Sequence, residues 1–141
     1  MSWNYVTEVQ WLGGERGMAK TAGRPSFEFT PPPEFGGVAD VWNPELLLVG
    51  SIETCVFLTA LHFIKKSGTG LKSYSSKADG ELKKTPQGLR FQQMTITVTG
   101  VVATQEDVQK FKSSVAEAEK WCPVSNAVNF PVHVIADASV A

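Results

Sequence analysis

The sequence predicts an α+β fold, and three observations carry that prediction. Short stretches alternate apolar and polar residues, as strands with one buried face do. Two longer stretches carry helical spacing between recognisable start and stop signals. Glycine and proline turns separate neighbouring strands closely enough to make antiparallel hairpins. Taken in order, the elements read β-β-β-α-β-β-α-β.

Residues 3–12 form the first expected strand, with Trp3, Tyr5, Val9 and Trp11 on one side and Asn4, Glu8 and Gln10 on the other. Gly13-Gly14-Glu15-Arg16-Gly17 is a turn. Met18–Ala22 and Ser26–Thr30 read as two further strands around Gly23-Arg24-Pro25. Pro31-Pro32-Pro33 then ends any ladder, because proline has no N–H to donate. Asn43-Pro44-Glu45 is a helix start, with Asn as cap, Pro in the first helical position and Glu set against the positive end of the dipole. That helix is expected to end near Ser67, where Lys65, Lys66 and Gly68 supply the matching stop. Its apolar residues cover most of its circumference, so burial on more than one side is expected.

Leu71–Leu82 and Leu89–Val102 read as a long hairpin around Thr85-Pro86-Gln87-Gly88. Met94, Ile96 and Val98 take its inner face, with Gln93, Thr95, Thr97 and Thr99 outside. Thr104 caps the second helix with Asp107 three residues on. Its apolar stripe is Val108, Phe111, Val115, Ala118 and Cys122, in steps of three and four. Phe130–Ile135 is the last expected strand. No repeat and no linker interrupts the pattern, so residues 1–141 are read as one domain.

A chain of 141 residues with 43% hydrophobic and 19% charged residues can bury a core without disulfides. Thirteen Lys+Arg against fourteen Asp+Glu give a net charge of −1, which argues against a nucleic-acid partner. The N-terminus has neither the basic nor the apolar region of a signal peptide, so a cytoplasmic location is expected. Leu46–Ile64 approaches the length of a membrane span. Glu53 and His62 inside it, and the absence of aromatic belts on both flanks, favour the buried helix of a soluble protein with no membrane partner.

The chemistry centres on the two cysteines, Cys55 and Cys122. They are too few for an all-cysteine zinc site or an iron–sulfur cluster. Cys55 and His62, seven residues apart on one helix, are roughly 10 Å apart by rise alone, so no metal site is expected. The glycine-rich turn at residues 13–17 lacks the ending of a phosphate loop. Ser51, His62 and Asp40 lack a nucleophile elbow. Cys55 lies in the middle of the most apolar helix, and Cys122 lies on the core-facing stripe of the other. One disulfide, one reactive pair or two inert buried thiols all satisfy that placement. Pro123 after Cys122 ends one helix and can start a short one, which would favour a Cys122 thiolate.

Glu45 precedes Cys55 by ten residues, about 15 Å along the helix and about 80° round it, so the two cannot touch within one helix. Two copies of the helix crossing antiparallel near Gly50 would bring Glu45 of one chain to Cys55 of the other, which points to a homodimer.

The run Asn43-Pro44-Glu45-Leu46-Leu47-Leu48 followed by Cys55 in the same helix, and then Cys122-Pro123-Val124-Ser125-Asn126, resembles the OsmC/Ohr family, the osmotically inducible and organic hydroperoxide resistance proteins of bacteria. The resemblance extends to a divergent OsmC-like branch, because of the long Pro31–Gly37 loop. It implies an intertwined homodimer with antiparallel sheets wrapped around two long central helices. It also implies a thiol-dependent peroxidase that reduces organic hydroperoxides to alcohols in oxidative-stress defence. Cys55 is then the peroxidatic cysteine, Cys122 the resolving one, and Glu45 the partner of an activating arginine. That arginine is Arg16 or, as the competing candidate, Arg24. No cofactor is implied beyond an external dithiol reductant of lipoyl type. Val56, Phe57, Leu58 and the loop around Phe35 suit an alkyl or lipid hydroperoxide. The alternatives are a non-catalytic protein of the same fold that binds an apolar ligand at the dimer interface, and a structural domain with buried thiols.

Overall fold

The computed structural model describes all residues, 1–141. The chain divides into two compact units, Met1–Leu48 and Val49–Ala141. The elements are β1 (Glu8–Gly13), β2 (Arg16–Lys20), β3 (Phe27–Phe29), α1 (Pro44–Lys66), β4 (Leu71–Thr85), β5 (Gly88–Val102), α2 (Gln105–Trp121) and β6 (Val132–Val140). This is the expected α+β order, with 3-10 turns added at Pro33–Phe35 and Ser125–Ala127. The unit boundary falls inside α1, which carries no linker composition to mark it.

In the first unit β1, β2 and β3 form an antiparallel sheet. The β1–β2 turn depends on Gly13 and Gly14, whose φ values of 102° and 55° favour glycine. Gly17 in β2 lies under the ring of Phe29, where a Cβ would collide with it. Asn43 caps α1 as its sequence implies, accepting the Leu46 N–H at 2.8 Å. The first strand begins at Glu8 rather than residue 3, and its apolar side chains are not half-buried. Val9 and Trp11 are 71% and 75% exposed.

The second unit has a three-stranded sheet in the order β4-β5-β6. The β4–β5 hairpin turns through Pro86–Gln87, and the ladder holds to the Thr85↔Gly88 pair. Strand β6 departs from the all-antiparallel expectation: it pairs parallel with β5, from Met94↔Val132 to Val102↔Val140. The reason is the connection. Helix α2 carries the chain back along the sheet before β6 starts, as a parallel neighbour requires. Strand β6 also runs on to Val140, because half-buried Ala136 and Ala138 alternate with exposed Asp137 and Ser139.

The core of this unit joins three stripes. Helix α1 gives Ile52, Val56, Ala60 and Ile64; β5 gives Met94, Ile96, Val98 and Val102; α2 gives Phe111, Val115 and Ala118, with Cys122 at its end. Their 4-, 2- and 3/4-residue spacings are those of one helix face, one strand face and one helix stripe. Burial of α1 on several sides is not reached within the chain, and Leu58 is 62% exposed. Thr104 caps α2, its hydroxyl accepting the Asp107 N–H at 3.3 Å and lying 2.9 Å from the Asp107 carboxylate.

Gly100 in β5 is buried beneath the Phe111 ring, with which any added Cβ would collide. Gly100→Ala should therefore destabilise the fold by about 1–3 kcal/mol through overpacking, read as a lower denaturation midpoint.

Tyr74 in β4 packs between Phe57 and Phe111, with ring centroids at 4.8 and 6.0 Å. Its hydroxyl is buried without a hydrogen-bond partner. Burial, reinforced by the nearby Glu53 charge, pushes the phenol up to about 12 from its usual 10. Below pH 10 the phenol is neutral in both folded and unfolded chains. Between pH 10 and about 12 the unfolded chain gives up the proton first, so folding stability falls across that window. Tyr74→Phe should flatten this alkaline decline in urea melts and leave neutral-pH stability unchanged or raised, because it removes an unpaired buried hydroxyl.

Candidate functional site

The second unit brings the two cysteines together. Cys55 lies midway along α1, on the turn between the buried positions Ile52 and Val56. Cys122 closes α2 as its C-cap, its N–H bonded to Ala118 O at 2.9 Å. Both are free thiols; Cys55 is half-buried and Cys122 is fully buried. Their thiols are close enough that each shifts the other's titration. The placement on two core-facing helix surfaces, legible in the sequence, has become a contact.

The surroundings of the two sulfurs differ. Burial pushes the Cys55 thiol up, and the neighbouring Cys122 adds to that rise; the Val124 backbone and the Thr59 hydroxyl nearby oppose it. Burial also pushes Cys122 up, but Cys55, the backbone and hydroxyl of Ser125, and the Val124 backbone together outweigh it. The net direction for Cys122 is down. The Ser125 N–H stands 3.4 Å from Cys122 Sγ. The surroundings favour the thiolate form more at Cys122 than at Cys55.

The first unit brings Arg16 and Glu45 together around a cavity of ≈ 480 Å³, lined also by Trp11, Phe29, Pro32 and Phe35. Arg24 is exposed in the β2–β3 turn and does not line this cavity. The two residues do not form the ion pair that the family resemblance implies. Arg16 Nη1 bonds Glu28 Oε2 at 2.9 Å, with both side chains part-exposed. The register explains this. Met18 lies opposite Glu28, which makes Arg16 a diagonal neighbour of Glu28 on the same face of the sheet. Glu45 Oε2 is buried with no partner. A guanidinium has five donors, and one on the wall of this cavity can serve two carboxylates.

Glu28 and Thr59 were not singled out from the sequence. Thr59 stands four residues after Cys55, and that helical spacing is a readable signal. Glu28 depends on strand register, which local sequence does not display. No group of three or more His, Cys, Asp or Glu side chains is placed to hold a metal ion.

Comparison with known proteins follows the same lines. Residues 37–136 match the family described as OsmC-like protein. The chain is 22% identical over 141 residues to the uncharacterised protein YmaD of Bacillus subtilis, covering 97% of this chain and 94% of that one. Among solved structures it is similar to an OsmC-like protein of unknown function from Vibrio cholerae, at a TM-score of 0.85, 17% identity, and 98% and 100% of the two chains. It is also similar to an organic hydroperoxide resistance protein from Legionella pneumophila, at a TM-score of 0.75, 25% identity, and 98% and 99% of the two chains.

Proposed function

The chain belongs to the OsmC-like protein family, and on that premise we propose that it is a thiol-dependent peroxidase reducing organic hydroperoxides to alcohols. The observation that carries the reading is the pairing of two free thiols, Cys55 and Cys122, near enough to shift each other's titration, one part-exposed and the other fully buried. The Cys55 thiolate attacks the outer oxygen of R–O–OH. The O–O bond breaks, Cys55 becomes a sulfenic acid, and the alkoxide leaves with a proton as the alcohol. The Cys122 thiolate then attacks the Cys55 sulfur, the hydroxyl leaves as water, and a disulfide forms. An external dithiol, of lipoyl type by family resemblance, returns both cysteines to thiols. The cycle calls for no bound cofactor.

Burial opposes a Cys55 thiolate, so a cation must offset it. Arg16 is assigned that role, with Glu45 as the carboxylate that orients it. The protein works as a homodimer in this reading, with α1 helices crossing near Gly50 so that Glu45 of one chain approaches Cys55 of the other. Exposed Trp11, Val9 and Leu58 support it, since apolar faces of this kind call for a partner surface. The setting is the cytoplasm, where free thiols persist and oxidative-stress defence needs them. The test is consumption of cumene hydroperoxide with a dithiol as the only reductant. Catalytic loss of peroxide is expected, and none at all would refute the reading.

The apolar cavity beside Arg16 favours one second reading, a non-catalytic protein that binds an apolar ligand at the dimer interface. That reading expects a ligand-dependent rise in melting temperature together with thiols that peroxide leaves unoxidised.

A further inference from the structure

We propose that the backbone amide of Ser125 holds the Cys122 sulfur and fixes the direction of reduction: the external dithiol attacks Cys55, and Cys122 is the leaving group. The proposal rests on the thiol–disulfide cycle above and adds which sulfur the reductant meets.

Access is the first argument. Cys122 is 0% exposed, enclosed by α2 and the turn that follows it, whereas Cys55 is part-exposed on α1. A thiolate must approach the attacked sulfur directly, and of the two cysteines only Cys55 keeps exposed surface in the chain. The second argument is the leaving group. The better-stabilised thiolate leaves faster. The Ser125 N–H lies 3.4 Å from Cys122 Sγ. The turn that aims this donor is held by its own bonds. The Ser125 hydroxyl and the Asn126 N–H both donate to Cys122 O, at 3.2 and 3.1 Å. Backbone donors fixed in this way need no rearrangement when charge arrives on the sulfur. No such donor bonds the Cys55 sulfur, and its burial favours the neutral thiol.

The step balances. One thiolate of the dithiol attacks Cys55 Sγ and forms a mixed disulfide. The Cys55–Cys122 bond breaks, and its electron pair leaves on Cys122 Sγ. The reductant's second thiolate attacks its own sulfur in the mixed disulfide, closes a cyclic disulfide and releases Cys55. The dithiol's two protons end on the protein's two cysteines.

The test forms the disulfide with diamide, so that it does not depend on peroxide. The oxidised protein is mixed with limiting 2-mercaptoethanol, quenched in acid, alkylated and peptide-mapped. The adduct is expected on Cys55 and the alkyl label on Cys122, in excess over the reverse by about tenfold or more. An adduct mainly on Cys122, comparable adducts on both, or none on either would overturn the proposal. Ser125→Pro removes the donor N–H, and Ser125→Ala keeps it. The ultraviolet thiolate absorbance of Cys55→Ser protein should appear at higher pH with Ser125→Pro and stay nearly unmoved with Ser125→Ala. Equal movement in both would overturn the role of the amide, and if the proline variant does not fold, the adduct map on wild type decides. A protein that ignores peroxide yet gives the Cys55 adduct refutes the peroxidase reading and leaves this one standing. A protein that consumes peroxide and gives the Cys122 adduct does the reverse.

Discussion

Replacing Cys55 by serine is expected to lower dithiol-dependent consumption of organic hydroperoxide by more than about a hundredfold, because the attacking atom is gone. Cys122→Ser should behave differently. Its Cys55 can still take oxygen from one peroxide, so the first turnover survives and a sulfenic acid accumulates that a dimedone probe can capture. Turnover with the dithiol then falls, because no buried thiolate waits beside the oxidised sulfur. This asymmetry is the signature of an attacking and a resolving cysteine. Equal loss of the first turnover in both variants would deny it. Cys55→Ser should melt near the wild-type temperature, because serine is close to cysteine in size and Cys55 is only half-buried. A large fall in melting temperature for Cys55→Ser would mean that its activity loss reports folding.

The second large effect concerns the core that holds the pair in place. Phe111 is the largest fully buried side chain. It faces Tyr74 at 6.0 Å and lies over Gly100, so α2 meets the sheet through it. Phe111→Ala should cost about 3–5 kcal/mol, since the ring's contacts are lost and rigid neighbours cannot close the space. Thermal or urea unfolding measures it directly. Gly100 gives an internal check. In a Phe111→Leu background the penalty of Gly100→Ala should shrink, because the ring that the new methyl meets is no longer there. An unchanged penalty would mean that the two residues do not share one space. Cys122 lies eleven residues beyond Phe111 on the same stripe, so loosening α2 should also slow disulfide formation.

What could be read from the sequence was set by local chemistry. Asn43-Pro44-Glu45 marked the start of α1, and Thr104 with Asp107 marked that of α2; both caps form as written. The buried face of β5 follows Met94, Ile96 and Val98 because a two-residue period leaves no other choice. The parallel pairing of β6 was hidden, since a strand's own pattern does not say which neighbour it takes or in which direction. The exposed face of β1 was hidden for a related reason. Trp11 and Val9 mark an apolar face whether the cover comes from the same chain or another. At the site, helix placement was enough to suggest that Cys55 and Cys122 meet. The hold of Glu28 on Arg16 depends on the β2–β3 register, and no spacing along the chain displays it. The Ser125 amide that bonds Cys122 belongs to the backbone, so no residue type announces it.

The most direct measurement adds one equivalent of cumene hydroperoxide to the fully reduced protein, with no reductant present, and follows both free thiols and peptide masses. The account predicts that the peroxide is consumed, that both thiols disappear together, and that a disulfide-linked pair of peptides containing Cys55 and Cys122 appears. Persisting peroxide with both thiols still titratable would contradict it.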